Sequence, residues 1–282
     1  MQILRGTPLL VATLLAAACT ATGPVPPTSV KEVGESRPGT GYVKGYLAAA
    51  ELPDSLALLP PPPAEGSAAL AADAEAFRTL TALRSGPRGE LAAKDADLQF
   101  PRAADTFACA LDIQISEETT PHLNMLLRRT LADAGQATSK AKDEYKRTRP
   151  FVVFKAPTCT PAQETSLAKD GSYPSGHSSV GWAWALVLTE LAPDRADALL
   201  QRGRAFAQSR GVCGVHWKSD IEAGRLVGGA TVARLHGNAT FRAQMALATN
   251  EVAKARAQGQ VPPVAGCAAE AATLATSARL AP

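Results

Sequence analysis

The run SSVGWAWALVLTELA, Ser178–Ala192, constrains this chain more than any other stretch. Its one charged side chain is Glu190, near the end. A helix that is apolar on nearly every face has no side to offer water, so other elements must wrap it. The rest of the chain supplies helices for that purpose. AALAADAEAFRTLTALR (Ala68–Arg84) has helical spacing, and Thr120–Arg149 reads as one or two helices with Gly135 marking a break. Pro150 closes that region, because the residue before proline avoids the helical conformation. Pro193–Arg210 opens with proline and acids, as a helix start does. A further helix is expected from about His216 to His236, ending at Gly237. Phe151–Ser172 is expected as a loop, interrupted by Pro157, Pro161 and Gly171. Alanine is abundant and aromatic residues are only 5% of the chain, which favours helices over sheets. No β alternation and no internal repeat stands out. The expectation is an all-α, single-domain helical bundle.

The two ends read differently from the middle. Arg5 followed by PLLVATLLAAAC resembles an export signal over 1–19, with an apolar core too short to span a bilayer comfortably. Its end has two readings, and both stay open. Leu15–Cys19 (LAAAC) resembles a bacterial lipobox, with the aliphatic residue one place early, so that Cys19 would carry lipid; cleavage at a nearby small-residue site is the other reading. Both take the mature chain out of the cytoplasm, to the periplasm or the medium, or to an outer-membrane anchor through Cys19. Residues 20–40 are rich in Pro, Gly, Thr and Ser and read as a flexible tether. LLPPPPAEGS (Leu58–Ser67) reads as a rigid connector before the first helix. Residues 250–282 read as a peripheral C-terminal tail. A net charge of +3 gives no reason to expect nucleic acid or an acidic membrane surface as partner. With Cys19 set aside, Cys109, Cys159, Cys213 and Cys267 remain, and an even count in an exported chain favours two disulfides, with three pairings open.

Three clusters carry chemistry. KDEYKRTRP (Lys142–Pro150) places Lys142 and Arg149 two helical turns apart, so they are expected to share one helical face. Alone, it is an ordinary solvated basic face. GSYPSGH (Gly171–His177) turns at Pro174 and Gly176 just before the apolar helix, so Ser175 and the Gly176 and His177 N–H groups stand at a helix N-terminus, which attracts anions. SRGVCGVHWKSD (Ser209–Asp220) places His216 and Asp220 at i and i+4, where the carboxylate can fix the imidazole tautomer. Together they supply three cations, a helix-start nest and two histidines, which suits a tetrahedral dianion such as phosphate. No acidic cluster suggests a divalent metal, and no cofactor is expected.

These blocks, in this order and spacing, resemble the three-part signature of the type 2 phosphatidic acid phosphatase superfamily, which also contains vanadium haloperoxidases. LALLPPPP, GSYPSGHSSVGWAWALVL and QSRGVCGVHWKSD resemble the bacterial class A nonspecific acid phosphatases, over about Gly41 to Ala248. One departure is Gly211, where an aliphatic residue is expected; it should only loosen that turn. The resemblance implies a phosphatase domain over 41–249. It implies His216 as the residue phosphorylated, Asp220 as its orienter, and His177 as general acid and then base. Lys142, Arg149, Ser175, Gly176 and Arg210 would bind phosphate. The implied activity is metal-independent hydrolysis of small phosphate monoesters of broad range, with a bell-shaped pH profile below neutrality. Phosphotransferase, diphosphohydrolase and lipid phosphatase activities are the alternatives. A haloperoxidase or a noncatalytic phosphate-binding lipoprotein ranks below them. Related enzymes often self-associate, so a homo-oligomer is carried as a partner. If Cys159 pairs with Cys213, the bridge would pin the loop before the second block beside His216 and leave Cys109 for Cys267. His122 and His236 are expected to be structural, Trp182 and Trp184 to pack, and Tyr173 to line the substrate mouth.

Overall fold

The computed structural model describes residues 24–262 and 264–280; the export signal and Cys19 lie outside them. Among the described residues nine longer helices carry the architecture: α1 Ala68–Thr81, α2 Pro87–Asp95, α3 Pro121–Gln136, α4 Ser139–Tyr145, α5 Gly176–Leu191, α6 Ala196–Val212, α7 Lys218–Leu235, α8 Ala239–Ala257 and α9 Val264–Ala275. The only extended pairing among them is an isolated bridge, Glu35 with Val43, so the chain is all-α. Caps set several starts. Ser67 Oγ accepts from Leu70 N (3.1 Å) and Asn238 Oδ1 from Phe241 N (3.0 Å), while Pro87 and Pro121 open α2 and α3. The expected break at Gly135 falls slightly later. Helix α3 runs through to Gln136, and the Thr138 hydroxyl then takes the Gly135 carbonyl (2.7 Å) and turns the chain.

The apolar run is α5, and it is central. Helices α3, α6 and α7 pack around it, with α8 against α3 and α1 and α2 against α6. Trp184 is fully buried, donates from Nε1 to the Leu127 carbonyl (2.9 Å), and meets Phe100 and Phe107 edge-to-face. Trp182 is half-buried, with the Arg225 guanidinium 5.7 Å from its ring. The α5–α7 contact depends on two glycines one turn apart. A Cβ on Gly224 would lie 2.4 Å from the Ser175 carbonyl oxygen, and one on Gly228 would lie 2.4 Å from that of Ser179. Neither position tolerates a side chain, so the middle of α7 sits directly against the start of α5. Gly211 is also explained by packing. It lies inside α6, buried, where a Cβ would come 2.6 Å from Leu80 of α1. The missing side chain brings α1 close and does not loosen a turn.

Two disulfides join distant parts. Cys109 bonds Cys267 and Cys159 bonds Cys213. The first ties α9 back to the core, where Glu270 lies 3.3 Å from Arg202 and Gln208 donates to the Ser277 carbonyl (3.1 Å). Below them a buried polar network links α2 to α6: Asp95 pairs with Arg202 (2.5 Å) and accepts from Ser209 Oγ (2.5 Å), while Arg88 reaches Ser209 Oγ (2.9 Å) and Ser277 Oγ (3.0 Å). Ahead of α1, the segment at Gly45–Leu47 is fixed by Asp133, which accepts from the Tyr46 and Leu47 N–H groups (2.8 and 3.1 Å); burial pushes its carboxyl up to about 6. The Cys159–Cys213 bridge spans 54 residues of sequence and joins the segment before α5 to the turn before His216. Replacing both cysteines with serine should cost about 2–4 kcal/mol. Thermal unfolding followed by circular dichroism should show the midpoint falling; an unchanged midpoint would refute a stabilising role.

Candidate active site

The signature residues come from four helices and two connecting segments, and they meet at the buried ends of α5 and α7. Ser175 caps α5: its Oγ accepts from Ser178 N (3.3 Å) and Ser178 Oγ (2.9 Å), and its own N–H donates to the Asp220 carbonyl (2.9 Å). The cap and the dyad are therefore joined through the backbone. Lys142 and Arg149 meet by a different route from the one their spacing suggested. Helix α4 ends at Tyr145, Lys146 turns left-handed (φ 41°), and Arg149 is extended ahead of Pro150, so the two share no helical face. They converge because the strap at Asp170–Gly171 lies across both. Lys142 Nζ donates to the Gly171 carbonyl (2.7 Å), and Arg149 Nη2 donates to Asp170 (3.1 Å) and Gly171 (3.4 Å).

His216 is buried, and its neighbours assign its tautomer. Nδ1 lies 3.4 Å from Asp220 Oδ2, a carboxylate that can only accept, so Nδ1 carries the proton. Nε2 lies 3.0 Å from Arg149 Nη1, which can only donate, so Nε2 offers its lone pair. Two independent contacts thus place the proton on Nδ1 and the lone pair on Nε2, where Arg149 donates to it. Burial, followed by Arg149, Lys142 and Arg210, holds the His216 pKa well below the ordinary histidine value. Asp220 is fully buried, and burial pushes its carboxyl up; a salt bridge from Arg147 (2.6 Å) and the Trp217 N–H (2.8 Å) oppose that shift.

His177 stands one residue into α5, against the Phe206 ring, and its Nε2 lies 3.1 Å from the Ala96 carbonyl. A carbonyl accepts only, so Nε2 holds a proton and Nδ1 is the atom left to exchange one. Burial and then Arg210 hold the His177 pKa well below its usual value. The cations are crowded. Burial lowers Lys142 to about 8 and, with Arg149 beside it, lowers Arg210 to about 9. Arg210 is 1% exposed, and its Nε and Nη1 have no hydrogen-bond partner in the protein. A buried guanidinium with unpaired donors, beside the Arg149 guanidinium, has hydrogen-bonding capacity to offer an anion.

A model of the PAP2 superfamily matches residues 123–242, a stretch that holds all eight of these residues. A non-specific acid phosphatase of Providencia stuartii is 45% identical over 74% of this chain and 85% of that protein. An acid phosphatase of Zymomonas mobilis is 42% identical over 74% of this chain and 79% of that protein, and a non-specific acid phosphatase of Salmonella typhimurium is 43% identical over 69% and 78%. The chain belongs to the non-specific acid phosphatases of the PAP2 superfamily. That family is one of phosphoric monoester hydrolases, and the resemblance read from the motifs is correct.

Other expected residues of this acid phosphatase fall outside the cage. Gln244 contacts His122, and exposed His236 lies 3.0 Å from Glu190. Tyr173 does not line an open mouth. It is 3% exposed, packs against Tyr145, and donates its hydroxyl to the Pro60 carbonyl (2.9 Å), tying the polyproline connector to the site. Three groups beside the site escaped the sequence reading: Asp170, Arg147 and Asp73. Arg147 lies within the basic block and passes for a solvated charge. Asp73 carries a usable signal, since it sits at helical spacing from Ala76, Phe77 and Leu80, on the buried face of α1.

Proposed function

We propose that this acid phosphatase is an exported, metal-independent enzyme of broad range that works through a phosphohistidine on His216. The observation that carries the proposal is the pairing of a fixed Nε2 lone pair with unpartnered buried donors on Arg210. A phosphate monoester would settle with its peripheral oxygens on Arg210, Arg149, Lys142 and the N–H groups at the start of α5. Arg149 then exchanges its contact with Nε2 for one with phosphate, which frees the lone pair. Nε2 attacks phosphorus, the P–O bond to the alcohol breaks, and the leaving oxygen takes a proton from doubly protonated His177. In the second step water gives a proton back to His177 and attacks phosphorus. The P–N bond breaks, its electron pair returns to Nε2, and inorganic phosphate leaves. The cations supply the charge stabilisation that phosphoryl transfer requires.

The pH dependence follows from the directions of the shifts. His177 must be protonated for the first step and its pKa is low, so activity on alkyl esters falls as pH rises. The bound dianion raises that pKa and brings the optimum into the mildly acid range. Export is supported by the Arg5–Cys19 stretch together with two disulfides, which persist in oxidising compartments. The test is hydrolysis of p-nitrophenyl phosphate, glycerol phosphate and a nucleotide monoester at pH 5–6 with excess EDTA. Full activity on all three, with inorganic phosphate a competitive inhibitor, is expected. Loss of activity in the chelator would refute metal independence.

A further inference from the structure

The acid–histidine dyad does not end at Asp220. Arg147 is nearly buried and is gripped from both sides: Nη1 donates to Asp220 Oδ1 (2.6 Å) and to Ser219 Oγ (2.7 Å), while Nη2 donates to Asp73 Oδ2 (2.7 Å). Its guanidinium also stands 5.0 Å from the centre of the Trp217 ring. Asp73 is 1% exposed and takes two further bonds from the start of α7, from Ser219 N (2.8 Å) and Ser219 Oγ (2.6 Å). A carboxylate on α1, outside the stretch matched by the superfamily model, thus grips both Arg147 and the first turn of the helix that presents Asp220.

We propose that Asp73 and Arg147 are positioning residues for the phosphoryl-transfer dyad, holding Asp220 ionised and turned so that Oδ2 faces His216. The inference rests on the reading of His216 as the residue phosphorylated. Its physical basis is the division of labour on one carboxylate. Oδ2 is committed to Trp217 N–H and His216 Nδ1, and Oδ1 has Arg147 as its charged partner. A fully buried carboxylate keeps its charge only if paired. Arg147 in turn is held from its far side by Asp73, which occupies its second nitrogen. The other charged or titratable groups acting on Asp220 are His216, Lys142, Arg149 and Tyr173, and the neutral Ser172 hydroxyl also supports its charge; the two cations belong to the phosphate cage, and Tyr173 is spent on Pro60. With Arg147 gone, protonation of Asp220 becomes easier and the His216 tautomer is no longer imposed.

The test compares Asp73→Asn, Arg147→Met and Arg147→Lys with wild type, with His216→Ala, and with Glu75→Gln, an exposed position on α1. Steady-state kinetics on p-nitrophenyl phosphate from pH 3.5 to 8 are read with phosphate inhibition and thermal midpoints. Asp73→Asn should lower kcat about tenfold and Arg147→Met about a hundredfold, as loss of an outer partner commonly does. KM and the phosphate inhibition constant should stay within about twofold, because ground-state binding is untouched. The acid limb of kcat should move to higher pH, since a less supported Asp220 protonates sooner. Arg147→Lys should restore part of the rate and of the limb. Glu75→Gln should match wild type. Folded variants with a wild-type kcat and pH profile would overturn the inference, as would a loss carried by KM. If Arg147→Met does not fold, the near-isosteric Asp73→Asn decides; if that variant also fails to fold, the pair is scaffold and the inference falls. Retained activity in His216→Ala would instead refute the reading beneath it.

Discussion

His216→Ala should remain folded and lose turnover by about 10⁴-fold or more, the scale expected when a covalent nucleophile is removed. The size of the effect follows from the geometry. Nε2 is the one nitrogen of the His216 ring left with a lone pair, and among the described residues no other nucleophilic side chain hydrogen-bonds both Arg149 Nη1 and Asp220 Oδ2. Water could still enter the cationic cage, but it would have to attack phosphorus without covalent catalysis. The measurement is kcat on p-nitrophenyl phosphate with excess EDTA, beside a thermal midpoint showing that the variant is folded. Phosphate should still bind, because Lys142, Arg149 and Arg210 are unaltered. A folded variant that keeps much of its rate would remove His216 from the chemistry.

His177→Ala should behave differently with different leaving groups. An alkoxide is a strong base and needs a proton as it departs, whereas nitrophenolate leaves without one. With an alkyl phosphate the variant should therefore lose both steps, about 10²–10⁴-fold in all. With p-nitrophenyl phosphate the first step survives and the second, which needs a base for water, does not. A burst of nitrophenolate close to one per active site should appear, followed by slow turnover. Stopped-flow absorbance reads both phases. Equal losses on the two substrates with no burst would refute the acid–base role of His177.

Much of this was legible in the sequence because it was local. The apolar run at Ser178–Ala192 demanded burial, and α5 is the buried centre of the bundle. Ser175 at a helix start, and His216 and Asp220 four residues apart, could be read from short spacing alone. The Lys142–Arg149 relation could not. It assumed a continuous helix, and Lys146 with Arg149-Pro150 broke it, so a strap 29 residues beyond Lys142 and 21 beyond Arg149 does the joining. The partners of Arg147 were hidden for a similar reason. Asp73 and Asp220 lie 74 and 73 residues away on opposite sides of it, and no periodicity links them. Cysteine pairing was equally non-local: four cysteines allow three connectivities, and folding selects Cys109–Cys267 with Cys159–Cys213. Gly211 looked like a weakness only because its neighbour Leu80 belongs to another helix.

The central claim is that phosphorus is transferred to His216 Nε2. It is tested most directly by mixing the protein with a radiolabelled phosphate monoester at mildly acid pH, quenching within milliseconds in base, and mapping the label by peptide mass spectrometry. The prediction is label on the peptide carrying His216, stable in base and released in acid, absent from His216→Ala and accumulating in His177→Ala. Turnover without any trapped label in His177→Ala, or label on another residue, would contradict it.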